Sequence, residues 1–178
     1  MTSRILFAGF GGQGILFSGK QCAKTGMQLG KCVTWLPSYG PEQRGGTCNC
    51  SVIISDEEIG APLVNTPDIL IAFNAPSFDK FEPKVVAGGC VFSDSTLISQ
   101  KSTRSDISAY YIPATELANS MNAPKLANVI MLGYVLAKTK IFDFDYFAEK
   151  LTASVPESKA ELRELNKKAL LLGYNYSE

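Results

Sequence analysis

The sequence contains no histidine, so it lacks the side chain most often used for proton transfer near neutral pH and the commonest metal ligand. Its five cysteines, Cys22, Cys32, Cys48, Cys50 and Cys90, are odd in number and include no Cys-x-x-Cys pair. Neither a disulfide framework nor a zinc or iron–sulfur site is indicated, and the thiols are expected to be reduced. Cys48 and Cys50 would share one face of a strand, where, short of further ligands, they read as packing. No charge excess exists either: 17 basic residues balance 17 acidic ones. With no local basic run, counterion release gives no affinity for DNA or RNA, which are excluded as partners. No apolar stretch approaches the roughly 18 residues of a membrane span. Residues 1–7 run straight into glycines without a signal-peptide pattern, so they are expected to form a strand, and the chain is expected to be cytoplasmic.

What is present reads as a globular α/β chain: 178 residues, 46% of them hydrophobic, suffice for one core. Residues 4–10 form an apolar run that ends in glycine, a buried strand. Residues 13–29 repeat apolar or small side chains at helical steps, and Gly30 follows as a stop. Residues 33–36 read as a second strand and 37–46 as a Pro/Gly-rich loop. Residues 48–55 read as an added strand, hairpinned with 58–64. A strand over 69–73, a helix capped by Asn74 and running towards Val86, and strands over 90–93 and 109–112 follow. The last third reads as three helices, over 126–138, 143–153 and 156–172, the last stopped at Gly173. The expected fold class is α/β: a single Rossmann-like three-layer domain over 1–178, with a mainly parallel (mixed) sheet and a helical C-terminal third.

Two glycine clusters carry the functional argument. The first is Gly9-Phe10-Gly11-Gly12-Gln13-Gly14, directly after the first strand and before the first helix. Side-chain-free turns there allow close backbone approach, and the helix start offers amides to an anion. A P-loop reading of residues 14–20 fails: Gln21 stands where a magnesium-binding hydroxyl belongs, and Ile15, Leu16 and Phe17 fit the buried side of a helix better than an exposed loop. A dinucleotide reading lacks the acidic residue at the end of the second strand. That leaves another phosphate-bearing ligand, or glycines kept only for packing. The second cluster, Ser38-Tyr39-Gly40-Pro41-Glu42-Gln43-Arg44-Gly45-Gly46, is expected on the same sheet rim. Arg44 is its one strong cation, suited to an anion or an interface.

Together with Ile54-Ser55-Asp56-Glu57-Glu58-Ile59-Gly60-Ala61-Pro62 and residues 128–133, these clusters give a chain that resembles the gamma subunit, or gamma domain, of 2-oxoacid:ferredoxin oxidoreductases. The resemblance implies a part in oxidative decarboxylation of a 2-oxoacid such as 2-oxoglutarate, or a branched-chain 2-oxoacid, to an acyl-CoA, with electrons passed to ferredoxin. It implies alpha and beta partner subunits, with delta in some assemblies. Thiamine diphosphate and iron–sulfur clusters would be held by those partners, and coenzyme A would be shared with this chain. Gly9, Gly11, Gly12, Gln13, Gly14, Ser38, Tyr39, Gly40, Arg44, Gly45 and Gly46 would then face coenzyme A or a neighbouring subunit. No catalytic residue and no metal ligand is expected here, so the chain would be inactive alone. Isolated, it is free to self-associate. Two alternatives stay open: the small subunit of an indolepyruvate oxidoreductase, and a stand-alone NAD(P)-binding protein. The acidic run at residues 56–58 reads as a solvated turn.

Overall fold

The structure, a computed structural model, describes residues 1–40 and 46–177. Arg44 and Gly45 fall outside the described residues. The chain divides into two compact units, Met1–Tyr111 and Ile112–Glu178.

In the first unit β1 (Thr2–Phe10) is followed by α1 (Ile15–Gln28), β2 (Cys32–Tyr39), β3 (Thr47–Ser55), β4 (Ile69–Ala72), α2 (Ala75–Phe81), β5 (Cys90–Asp94) and β6 (Ser108–Ile112). The sheet order is β2-β3-β1-β4-β5-β6. β1 pairs in parallel with β4, and β4 with β5, whereas β3 is antiparallel to both β1 and β2. The sheet is therefore mixed, with its parallel pairs on one side of β1 and its antiparallel pairs on the other. Two reversals bring β2 back to the direction of β1, so both strands end on one rim.

The apolar runs of β1, β4 and β5 are buried, as strands covered on both faces must be. One face carries α1. An added Cβ at Gly19 would lie 2.5 Å from Cys50 Sγ and one at Gly26 3.1 Å from Ile54 Cγ2, so the glycine stripe of α1 rides directly on β3. On the other face Phe78 of α2 packs in a core with Leu6, Ala8, Ile53, Leu70 and Val91. Helix, sheet and helix make the three layers. Because α1 and α2 leave neighbouring strands towards opposite sides, the ends of β1 and β4 form the switch point at which such sheets commonly bind ligands.

Several sequence expectations are corrected. β2 runs on through Pro37 to Tyr39 rather than stopping at Leu36; it is the edge strand, where a missing N–H is tolerated. β3 pairs with β1 and β2, and residues 58–64 form no strand. That segment instead crosses near β3, with Val64 N–H donating to Ser51 Oγ at 3.3 Å. α2 ends at Phe81, giving way to a 3-10 turn over Glu82–Lys84 that contains Pro83. Its cap is as expected: Asn74 Oδ1 accepts the Ser77 N–H at 2.8 Å.

The second unit holds α3 (Ala114–Ser120), α4 (Ala127–Thr139), α5 (Phe144–Ala153) and α6 (Ala160–Tyr174). α3 went unpredicted. α4 is buried at every position from Asn128 to Leu136, as a helix apolar all round should be. It crosses α6 in backbone contact at Gly133 and Gly173. Asp143 caps α5 by accepting the Tyr146 N–H at 2.9 Å. Gly173 is no stop signal, since α6 continues through it. Among the described residues no helix is long and apolar enough to cross a membrane.

The acidic run at residues 56–58 is exposed, and Asp56 receives both Lys31 Nζ and the Met1 amino nitrogen. Hydrogen bonds and charge from these two partners pull its carboxyl down to about 2. The depressed value means the folded state favours the carboxylate. Its contribution is full above the ordinary carboxylate pKa of about 4 and is lost as pH falls towards about 2. Urea denaturation of Asp56→Asn against wild type is expected to show a shallower loss of stability in that acid window.

Candidate functional site

The first glycine cluster is built around Gln13. Phe10 N–H donates to Gln13 Oε1 at 2.6 Å, and Gln13 Nε2 donates to the Phe73 carbonyl at 2.9 Å. One carboxamide thus ties the end of β1 to the end of β4 and stoppers the switch-point crevice. Gly9 makes room for it: an added Cβ would lie 2.6 Å from Gln13 Oε1, 2.8 Å from Ile15 Cδ1 and 3.1 Å from Phe73 Cβ. Gly12 and Gly14 have φ of 100° and 78°, the left-handed region that glycine enters without strain. Among the described residues nothing lies within 4 Å of an added Cβ at Gly12, so its requirement there is for the turn, not for close packing.

The two clusters are neighbours. Gly11 N–H donates to the Gly46 carbonyl at 3.0 Å, and Gly40 N–H to the Thr47 carbonyl at 3.4 Å. Tyr39 lies opposite Cys48, which lies opposite Gly9, so β3 joins both turns. A groove of about 440 Å³ opens between them, lined by Gly11, Gly12, Gly14 and Tyr39 of the expected set. Gly9, Gln13, Ser38, Gly40 and Gly46 do not line it. Ser38 faces away, since strand neighbours alternate, while Gly9 and Gln13 are scaffold. Arg44 and Gly45 lie outside the described residues. The Gly11 and Gln13 amides are committed to carbonyls of the chain, those of Gly46 and Phe10. The first-turn amides at Ile15, Leu16 and Phe17 have no carbonyl a turn earlier to receive them, as at any helix start.

Phe10, Ile15, Leu16, Phe17 and Cys48 complete the walls, and none was singled out from the sequence as a site residue. Phe17 reverses an expectation: it is 41% exposed, not on the buried side of α1. The signal was available, because the buried stripe runs Ile15, Gly19, Cys22, Gly26, and Phe17 falls off it beside exposed Lys20 and Lys24. Cys48 is 6% exposed at the groove, and burial raises its thiol pKa, as it raises that of Cys50 to about 12. Such thiols stay protonated and are poor nucleophiles. Lys20, the lysine of the rejected P-loop reading, sits within α1 with Nζ 5.9 Å from the Trp35 ring centre.

No three of the described Cys, Asp and Glu side chains gather as a metal site, and the buried cysteines are protonated thiols rather than thiolates. This donor set does not fit an iron–sulfur cluster or a metal-bound diphosphate. The groove fits part of a large organic ligand: its volume lies within the range of small-molecule sites, and it joins backbone amides to apolar walls.

A model of the "Pyruvate ferredoxin/flavodoxin oxidoreductase" family matches residues 4–176. The ketoisovalerate oxidoreductase subunit VorA of Methanothermobacter thermautotrophicus is 44% identical over 134 residues, 75% of this chain and 28% of that protein. This chain therefore spans just over a quarter of that relative's length. The 2-oxoglutarate synthase subunit KorC of Methanocaldococcus jannaschii is 35% identical over 164 residues, 90% of this chain and 88% of that one. Among solved structures, the gamma subunit of a keto/oxoacid ferredoxin oxidoreductase from Geobacter sulfurreducens superposes with a TM-score of 0.81 at 29% identity, over 97% of this chain and 96% of that one. The 2-oxoglutarate:ferredoxin oxidoreductase of Magnetococcus marinus, solved with 2-oxoglutarate, coenzyme A and succinyl-CoA, shares the fold with a TM-score of 0.86 at 24% identity, over 97% of this chain and 30% of that chain. By the reach of the family match and by the KorC likeness over nearly the whole of both chains, this protein belongs to the pyruvate ferredoxin/flavodoxin oxidoreductase family.

Proposed function

We propose that the chain is the gamma component of a 2-oxoacid:ferredoxin oxidoreductase, acting on 2-oxoglutarate or a branched-chain 2-oxoacid, and that it helps to hold coenzyme A. The observation that carries this reading is the groove joining the two glycine turns at one rim. Gly11, Gly12, Gly14 and Tyr39 would contact the ligand, with Arg44 and Gly45 of the same loop offering charge and space to its phosphates. Gly9, Gln13, Ser38, Gly40 and Gly46 would support or border that contact. Coenzyme A supplies the thiol acceptor of the acyl group; the role of this chain is to bind and orient it. Without histidine, and with no metal-binding donor set among the described residues, the chain would take the rest of its chemistry from alpha and beta subunits, and from delta where present. Those subunits would carry thiamine diphosphate and iron–sulfur clusters and deliver electrons to ferredoxin. The span of the family match, residues 4–176, favours treating 1–178 as one family domain, and its place of work in this reading is the cytoplasm.

A second reading, the small subunit of an indolepyruvate oxidoreductase, draws on 26% identity to subunit IorB of Archaeoglobus fulgidus over 98% of this chain. Stand-alone NAD(P) binding is disfavoured. In a dinucleotide fold the second strand lies beside the first and ends in a ribose-binding carboxylate, but here β3 intervenes and β2 contains no carboxylate.

Co-expression with the neighbouring open reading frames should yield a complex that forms acyl-CoA only when this chain is included; full activity without it would refute the proposal. Within that complex, Arg44→Ala is expected to leave thermal melting unchanged while raising the KM for coenzyme A or weakening subunit association. If neither moved, the Arg44 loop would have no part in either role.

A further inference from the structure

We infer that the cleft between α5 and α6 receives the same cleft of a second copy of this chain, so that four helices close about a two-fold axis running along it. The inference is independent of the function proposed above. The cleft measures about 740 Å³ and lies wholly within the second unit. Its floor is apolar: Phe144, Ala148 and Leu171 line it, and Leu171 is 47% exposed. Its rims carry opposite charge. Among the residues that line it, α5 supplies the acids Asp145 and Glu149 and no base, whereas α6 supplies the bases Arg163 and Lys167 and no acid.

A surface with one acidic and one basic rim is its own complement when turned about the right axis. Two contacts set the levels of the helices: the Phe144 and Tyr174 rings are 4.3 Å apart at one end, and Arg163 Nε donates to the Val155 carbonyl at 2.8 Å at the other. α5 and α6 are thus antiparallel, and Glu149 stands within one helical turn of the level of Lys167 across the cleft. A two-fold axis along the cleft lays α5 of each copy on α6 of the other and keeps that level. Glu149 of one copy then meets Lys167 of the other, once on each side of the axis. An axis across the cleft would set α5 on α5, acid against acid. Between the rims the two apolar floors close on each other as the core of a four-helix bundle does. Within one chain Glu149 pairs with its neighbour Lys150, and Lys167 with Glu164 at 3.4 Å; such exposed pairs contribute little and yield readily to new ones.

The test is sedimentation velocity of the full chain at about 100 μM, far above a micromolar Kd, where a dimer is expected. Glu149→Lys and Lys167→Glu, each alone, put like charges at both symmetry-related contacts and should weaken the dimer about 10-fold or more. Mixed in equal amounts, the two variants should dimerise again, because each supplies the charge that the other has lost. Both substitutions in one chain should do the same. The two side chains are exposed, so far-UV circular dichroism of each variant should match wild type. A monomeric wild type, a dimer indifferent to either reversal, or variants that fail to pair on mixing would overturn the interface. So would a monomeric chain whose complex with co-expressed subunits is lost in the same two variants, an outcome that gives the cleft to a different polypeptide.

Discussion

Gly173→Ala is expected to break the helical unit. A Cβ at this position would overlap the Ile130 carbonyl oxygen and lie 2.7 Å from the carbonyl carbon, and these are backbone atoms that no rotamer change can move aside. The same seam is closed from the other helix by Gly133, whose added Cβ would overlap the Leu170 carbonyl oxygen and lie 2.8 Å from Tyr174 N. To admit one methyl group, α4 and α6 must separate along their crossing. That separation would open gaps around Ile130, Leu170 and the buried Tyr134. Alanine gains about 1 kcal/mol of helix propensity over glycine, whereas overpacking of this kind costs about 1–3 kcal/mol and more where backbone must yield. The clash therefore wins. Denaturation followed by far-UV circular dichroism should show a loss of at least about 2 kcal/mol. Gly60→Ala is the control, because no described atom lies within 4 Å of its added Cβ and its φ is not positive; it should be neutral. A Gly173→Ala protein as stable as that control would contradict the helix crossing.

The second large effect is at Gly9. Valine there would drive its branched side chain into Gln13 Oε1, Ile15 Cδ1 and Phe73 Cβ. The carboxamide of Gln13 would be expelled, leaving the Phe10 N–H and the Phe73 carbonyl without their partner. Each such loss costs about 1–3 kcal/mol, added to overpacking of similar size. Gly9→Val should thus destabilise the first unit by about 3 kcal/mol or more, read from the fluorescence of Trp35, the sole tryptophan. Gly12→Val is the informative contrast. No described residue crowds it, so the expected cost is that of forcing a branched residue to positive φ, about 1–3 kcal/mol. Its larger effect should fall on whatever occupies the groove.

These two glycines mark how far the sequence could be read. The strands at 4–10, 69–73 and 90–93 were legible because buried strands are continuous apolar runs with turn residues at their ends. The juxtaposition of the two glycine clusters was legible too, since both follow strands that point the same way. What hid was non-local. Pro37 looks like loop chemistry unless β2 is known to be an edge strand, and the insertion of β3 between β1 and β2 leaves no local trace. α3 has only 7 residues, too few for a periodic signal. Gly9 and Gly12 look alike in sequence, yet one is held by packing and the other by its turn. Gly173 reads as a stop because only the path of α4 reveals it as a crossing point. Phe17 was misplaced by grouping it with Ile15 and Leu16 on the buried side of α1.

The carboxamide of Gln13 has a consequence beyond holding two strands together. By filling the notch at the middle of the sheet with the chain's own atoms, it displaces any visitor sideways, past β1 and towards the β2 margin. On the function proposed above, a ligand in the groove between the two glycine turns would lie at the margin of the sheet, where a partner subunit could complete its enclosure.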